Sequence, residues 1–161
     1  MMPYRSGNKA FEALVARVKT IQGSGSGHFT SLAGRVYTRH WLPENAKSDL
    51  PYVCLPIVSA AGQPDTDEGN MIRDVWEATL ICYVPETSTE EPTCTAIGDA
   101  LNLKDDIFDV LMKDWTLDGQ VESCKVTSWD ITGGEPPTAG YARLIVRVKM
   151  HQYLDDEYFG P

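Results

Sequence analysis

Read for its alternation of apolar and polar positions, the chain predicts two helices and five strands. Phe11, Leu14, Val15, Val18 and Ile21 recur at helical spacing among Lys9, Glu12, Arg17 and Lys19, so Asn8 to Ile21 reads as an amphipathic helix. Ser6 or Asn8 is placed to cap it, and Gly23 to stop it. Gly23-Ser24-Gly25-Ser26-Gly27 then has the composition of a flexible connector. Three strand-like runs follow: Arg35 to Trp41, Tyr52 to Ser59 (with Pro56 favouring a sheet edge or bulge) and Met71 to Val84. In the third, Trp76, Ala78, Leu80, Cys82 and Val84 share one face, and Val75, Glu77, Thr79, Ile81 and Tyr83 the other. Pro43 to Leu50 and Gly62 to Asn70 read as polar loops between these runs.

Beyond the loop Pro85 to Pro92, a second helix is expected over Cys94 to Trp115, capped by Thr93 or Thr95. Ile97, Leu101, Ile107, Phe108, Leu111 and Trp115 would line its apolar face, with a kink near Asn102 to Lys104 and a turn at Asp118-Gly119. Val121 to Ile131 and Tyr141 to Tyr153 read as two closing strands, joined through Gly133-Gly134-Glu135-Pro136-Pro137 as a wide hairpin. In the last strand Leu144, Val146, Val148 and Met150 face one way. Arg143, Arg147, Lys149 and His151 face the other, with Ile145 among them. The order α-β-β-β-α-β-β with short connections predicts an α+β two-layer sandwich: a mostly antiparallel sheet with both helices on one face. All 161 residues form one domain, with residues 1–8 an N-terminal arm and residues 154–161 a flexible acidic tail.

Charge changes the picture more than composition does. Fourteen basic residues against 23 acids leave a net charge of -9, which argues against a protein that coats nucleic acid. The excess is unevenly placed. From Gly62 to Glu91 there are eight acids (Asp65, Asp67, Glu68, Asp74, Glu77, Glu86, Glu90 and Glu91) against Arg73 alone, a net of -7. The basic row on the last strand stands apart from them. Two separately solvated surfaces account for this pattern. So does head-to-tail assembly, in which Asp65, Asp67, Glu68, Glu90 and Glu91 of one copy meet Arg143, Arg147 and Lys149 of the next.

Chemical motifs are lacking. The Gly23 to Gly27 run follows a helix and carries no P-loop lysine. Asp65-Thr66-Asp67-Glu68-Gly69-Asn70 resembles a calcium loop, but Asn70 stands where the turn glycine belongs and Trp76 where the bidentate glutamate belongs. His28, His40 and His151 have no zinc spacing, no serine sits in a nucleophile elbow, and the carboxylates form no recognisable pair. No catalytic residue, metal or cofactor is expected. Cys54, Cys82, Cys94 and Cys124 are far apart, and all but Cys94 lie in apolar or alternating runs. Reduced core thiols, no secretory leader and no membrane span together suggest a chain folded in cytoplasm.

The element order and apolar spacing from Phe11 to Tyr153 resemble the tail-terminator (tail-completion) proteins of long-tailed bacteriophages. The carriers are Phe11-Glu12-Ala13-Leu14-Val15-Ala16-Arg17-Val18, Arg35-Val36-Tyr37, and the step Leu50-Pro51-Tyr52-Val53-Cys54-Leu55. To these are added Val75-Trp76-Glu77-Ala78-Thr79-Leu80, the helix around Ile97 to Leu111, and Ala142-Arg143-Leu144-Ile145-Val146-Arg147-Val148. The resemblance implies a structural virion protein without enzymatic activity. It would form a homo-hexameric ring at the head-proximal end of the tail, cap the tail tube, halt its polymerisation and offer a docking surface to the head-side connector or stopper protein. A sheath protein would be a further partner where the tail is contractile, and DNA would pass through the channel without specific binding. The Gly/Ser run and the acidic end from Asp155 depart from the shortest members. Acidic loops turned towards the channel would repel phosphate and keep DNA moving. Two rivals share the size: a head–tail stopper or other neck protein, and a small ligand-binding or enzymatic α+β domain with a pocket between helices and sheet.

Overall fold

The computed structural model describes residues 7–32, 35–38, 52–54, 63–68, 71–86, 95–133 and 141–155. Three long antiparallel strands carry the fold: β4 (Met71–Pro85), β6 (Tyr141–Asp155) and β5 (Ser123–Gly133). The pairing of β4 with β6 runs unbroken from Met71 opposite Asp155 to Pro85 opposite Tyr141. Alternation in both strands decides which faces meet in that pairing. Trp76, Ala78, Leu80, Cys82 and Val84 pair with Met150, Val148, Val146, Leu144 and Ala142, and all ten are buried. A one-residue slip would turn every one of them to solvent. At about 1.5–3 kcal/mol for each large apolar side chain, burial outweighs any alternative pairing.

Short strands complete the sheet along the other edge of β4. β2 (Tyr52–Cys54) pairs antiparallel with Ile81–Tyr83, and β1 (Val36–Tyr37) lies parallel to β2. β3 (Gln63–Glu68) pairs antiparallel with Met71–Val75, with a register shift between Asp65 and Glu68. The acidic stretch expected as a loop is therefore a strand, and the order becomes α-β-β-β-β-α-β-β. The reason is main-chain chemistry. The start of β4 has an edge to be paired, and backbone groups pair whatever their side chains, so Gln63-Pro64-Asp65-Thr66-Asp67-Glu68 shows no apolar alternation.

Both helices, α1 (Gly7–Lys19) and α2 (Ala96–Lys113), cover one face of this α+β sheet. Ala10, Leu14, Val15 and Val18 bury the inner stripe of α1. Asn8 lies inside the helix, its amide donating to Glu12 at 3.2 Å, and so does not cap it; Ser6 lies outside the described residues. α2 is unbroken, without the expected kink, and its inner stripe is Ala96, Ala100, Leu103, Ile107, Val110 and Leu111. Ile97, Leu101 and Trp115, expected on that stripe, are exposed. Two small alanines let the helix lie close to the sheet, and the larger residues are rotated onto its flank. Thr95 makes no side-chain cap. Instead the Glu86 carboxylate accepts from the main chain of Thr95 and Ala96 and from the Thr95 hydroxyl at 2.6–3.1 Å. An anion there satisfies the orphan donors of the helix start.

The predicted ends shift modestly. β5 begins at Ser123 and reaches Gly133, while Leu154 and Asp155 belong to β6, not to a tail. Leu117, Asp118 and Gly119 all take positive φ in the turn after α2. The expected strand positions 39–41 and 55–59, His40, Cys94, most of the 133–137 hairpin and residues 156–161 lie outside the described residues.

Candidate functional site: the open face of the sheet and the flanks of the second helix

Opposite the helices, the outward positions of β4, β6 and β5 are partly or wholly exposed. Because β6 lies between the other two long strands, its basic row runs along the middle of this face. Arg143 sits opposite Tyr83 and Thr132, Arg147 opposite Thr79 and Ser128, and Lys149 opposite Glu77 and Lys125. Arg147 donates to Asp130 at 2.8 Å and to Ser128 at 3.2 Å, pinning β5 to β6. Both charges remain well solvated, so that ion pair contributes under about 1 kcal/mol. Lys149 meets an acid on one side and a like charge on the other, and the Lys125–Lys149 pairing opposes association of β5 with β6.

The expected acidic partners divide. Asp65, Asp67 and Glu68 lie on β3, on the far side of β4 from β6, where Asp65 pairs with Arg73 and Glu68 with Met71. Two strand spacings, about 10 Å, separate that strand from the basic row. The structure thus gathers Arg143, Arg147 and Lys149 into one row and keeps the β3 acids beside the start of β4. Glu90 and Glu91 lie outside the described residues.

A second arrangement, on the helix layer, escaped the sequence reading. Gly23–Ser26 is one turn of 3-10 helix, ended by Gly27 at φ 79°, and not a slack connector. Gly23, at φ 80°, takes its backbone amide to Thr30 O at 2.8 Å, closing the segment on itself. Behind it, Asp106 on α2 is 3% exposed and accepts from the amides of Phe29 at 3.0 Å and Thr30 at 2.8 Å. His28, buried as well, bonds Ser26 Oγ through Nδ1 at 2.8 Å and Asp109 Oδ2 through Nε2 at 3.0 Å. Lys113 reaches the same Asp109 oxygen at 2.8 Å; its hydrogen bond, then that of His28, holds the Asp109 carboxyl below the ordinary range. The sequence did carry a signal. Asp106 lies three residues after Leu103 and four before Val110, on the buried stripe, where an acid requires a partner.

Ser26, His28 and Asp109 have the members of a hydrolase triad but different work. Ser26 Oγ also accepts from Gln22 N at 3.1 Å and approaches Gly23 O at 2.9 Å, so its bonding capacity goes to shaping the turn. The imidazole is 4% exposed and braced at both nitrogens. The same end of the molecule is tied by Arg17, which donates to Asp114 at 2.7 Å and Asp118 at 3.1 Å. Thr116 donates its hydroxyl to Asp114, and this bond leads the causes that lower the Asp114 pKa.

The opposite flank of α2 is different in kind. Ile97, Leu101, Lys104, Phe108 and Met112 fall in one stripe at steps of three and four. Ile97, Leu101 and Met112 are exposed, and so is Trp129 on β5, over whose ring Lys104 Nζ lies at 4.7 Å. A bulge between Val126 and Ser128 shifts the phase of β5, which brings Trp129 to the helix side opposite Val146. Cys82 and Cys124 are buried and form no disulfide, and burial pushes Cys124 up to about 12. Among the described residues no group of three or more metal-ligating side chains assembles, and no helix is long and apolar enough to cross a membrane. Comparison with models of known protein families, and with curated protein sequences, finds no match to the chain.

Proposed function

We propose that this chain is a tail terminator: a structural virion subunit that forms a homo-hexameric ring on the tail tube of a long-tailed phage, stops its growth and receives the head-side connector. The observation that carries this reading is the sheet face that neither helix covers, partly exposed among the described residues, with a basic row on β6 and the acids of β3 on a different strand from it. Charges of opposite sign at separate places on one subunit suit a heterologous contact, in which one copy's acidic side meets the next copy's basic side and the ring closes on itself. The resemblance carried by the sequence from Phe11 to Tyr153 supports the same role.

The test is functional and direct. Tail-tube protein polymerising in vitro is challenged with the purified chain, and tube length and tube ends are followed by negative-stain microscopy. The proposal predicts short tubes, each closed at one end by a ring. Tubes of unchanged length with bare ends overturn it, and rings that bind only the isolated connector point to a stopper instead.

A further inference from the structure

We propose that His28 is a proton-operated latch: with both ring nitrogens protonated it fastens the Gly23–Leu32 segment to α2, and loss of one proton loosens that segment. The latch needs no second copy of the chain and stands apart from ring assembly.

The Ser26 hydroxyl carries one hydrogen and has three polar neighbours: Gln22 N at 3.1 Å, Gly23 O at 2.9 Å and His28 Nδ1 at 2.8 Å. Gln22 N can only donate to it, and Gly23 O can only accept from it. Across the ring, the Asp109 carboxylate lies 3.0 Å from Nε2 and accepts, so Nε2 carries a hydrogen. In a neutral ring that hydrogen is the only one, and Nδ1 must then accept. Ser26 would give its single hydrogen to Nδ1, leaving Ser26 Oγ and Gly23 O 2.9 Å apart with no proton between them. In the imidazolium, Nδ1 donates to Ser26 Oγ and the hydroxyl donates to Gly23 O. All four contacts then pair one donor with one acceptor.

The charged groups around the ring come from three directions. On α2, Asp109 accepts from His28 and attracts the charged ring, while Lys113 shares the same oxygen at 2.8 Å and opposes it. Asp106, also on α2, spends its oxygens on the Phe29 and Thr30 amides. Beyond the segment, Arg35 donates to the Leu32 and Ser31 carbonyls at 3.0 and 2.9 Å. On α1, Arg17 is engaged by Asp114 and Asp118. From Gly23 to Leu32 the sequence holds no ionisable side chain besides His28. Deprotonation therefore breaks the Ser26 link to Gly23 and leaves the two amide bonds to Asp106, so the turn loosens without leaving α2. Phe29, 76% exposed, is the side chain that this segment displays.

Amide exchange of the native full chain, with a long-range proton–nitrogen spectrum of the His28 ring at each pH, tests the latch. Exchange rates are compared with those of an unstructured peptide at the same pH. Protection of the Gln22, Gly27 and His28 amides should fall about tenfold as pH rises from about 5 to 8, the worth of one charge-assisted hydrogen bond. The fall should share its midpoint with the change of the ring from two protonated nitrogens to one, and amides of β6 should not follow it. In His28→Gln the pH dependence should vanish; the matched midpoints in the parent chain decide the point even where that variant does not fold. Constant protection while the ring loses its proton would overturn the latch, as would the same fall in His28→Gln. A ring singly protonated throughout, with the turn fully protected, also overturns it.

Discussion

The two flanks of α2 are built from the same helix and meet opposite ends. On one, Asp106 and Asp109 draw the Gly23–Leu32 segment down by its amides and by His28, so polar groups are consumed in holding the molecule together. On the other, Ile97, Leu101 and Met112 keep much of their apolar surface in solvent, and Lys104 lies over the exposed Trp129 ring. Polarity does not tell the flanks apart in the expected way: the charged one is closed and the apolar one is open. The difference teaches that a buried carboxylate with two amide donors is a device for internal order. The exposed apolar residues on the other flank make no such contribution to internal order.

Three perturbations sharpen the contrast. Asp106→Ala should cost about 3 kcal/mol in urea denaturation, since it removes two charge-assisted hydrogen bonds and leaves the Phe29 and Thr30 amides unmatched. Amide exchange at those two residues should rise before global unfolding. A variant within about 0.5 kcal/mol of the parent would mean that the closed flank is not held by this carboxylate. Next comes Glu86→Ala, expected to cost about 1 kcal/mol, because the start of α2 loses the carboxylate that caps it. Smallest is Met112→Lys on the open flank, which should fall within about 0.5 kcal/mol of the parent in a monomeric preparation.

Titration separates the same regions. The Asp109 and Asp114 carboxyls have folded-state pKa values below their ordinary 3.8. Their stabilising contribution is complete above that value and is lost as pH falls through the lower folded values. Unfolding monitored by tryptophan fluorescence should become easier below about pH 4, and Asp109→Asn/Asp114→Asn should flatten that dependence. Cys124 behaves in the opposite sense. Its thiol stays protonated up to about 12 when folded, against 9.0 ordinarily, so the folded state loses stability as pH rises from 9 towards 12. At pH 8 it should resist maleimide until the chain unfolds, and modification at the rate of a free thiol would contradict its burial.

The sheet was legible because alternation is a strong constraint. Trp76 to Val84 and Ala142 to Met150 announce their faces, while their pairing with each other is seen only in the structure. β3 was not, because a strand paired on main-chain groups need show no apolar period, and Pro64 with five polar neighbours reads as loop. The face of α2 was half legible. Ile97 and Leu101 have the size of core residues, yet it is the smaller Ala96 and Ala100 that sit buried against the sheet. The Gly/Ser turn looked slack because its order comes from a helix some 80 residues later, through the pairing of His28 with Asp109. The basic row of Arg143, Arg147 and Lys149 is legible from alternation as one face of β6. Its neutralisation in part by Asp130 and Glu77 depends on strand order, which one strand's sequence does not contain.

The claim at the centre is that this chain works as one sector of a closed ring. Light scattering of the purified full chain, taken through rising concentration at low and high salt, tests it most directly. The account predicts a discrete species of six times the chain mass that dissociates as salt screens the charges between copies. A single species of one chain mass at every concentration and salt would contradict it.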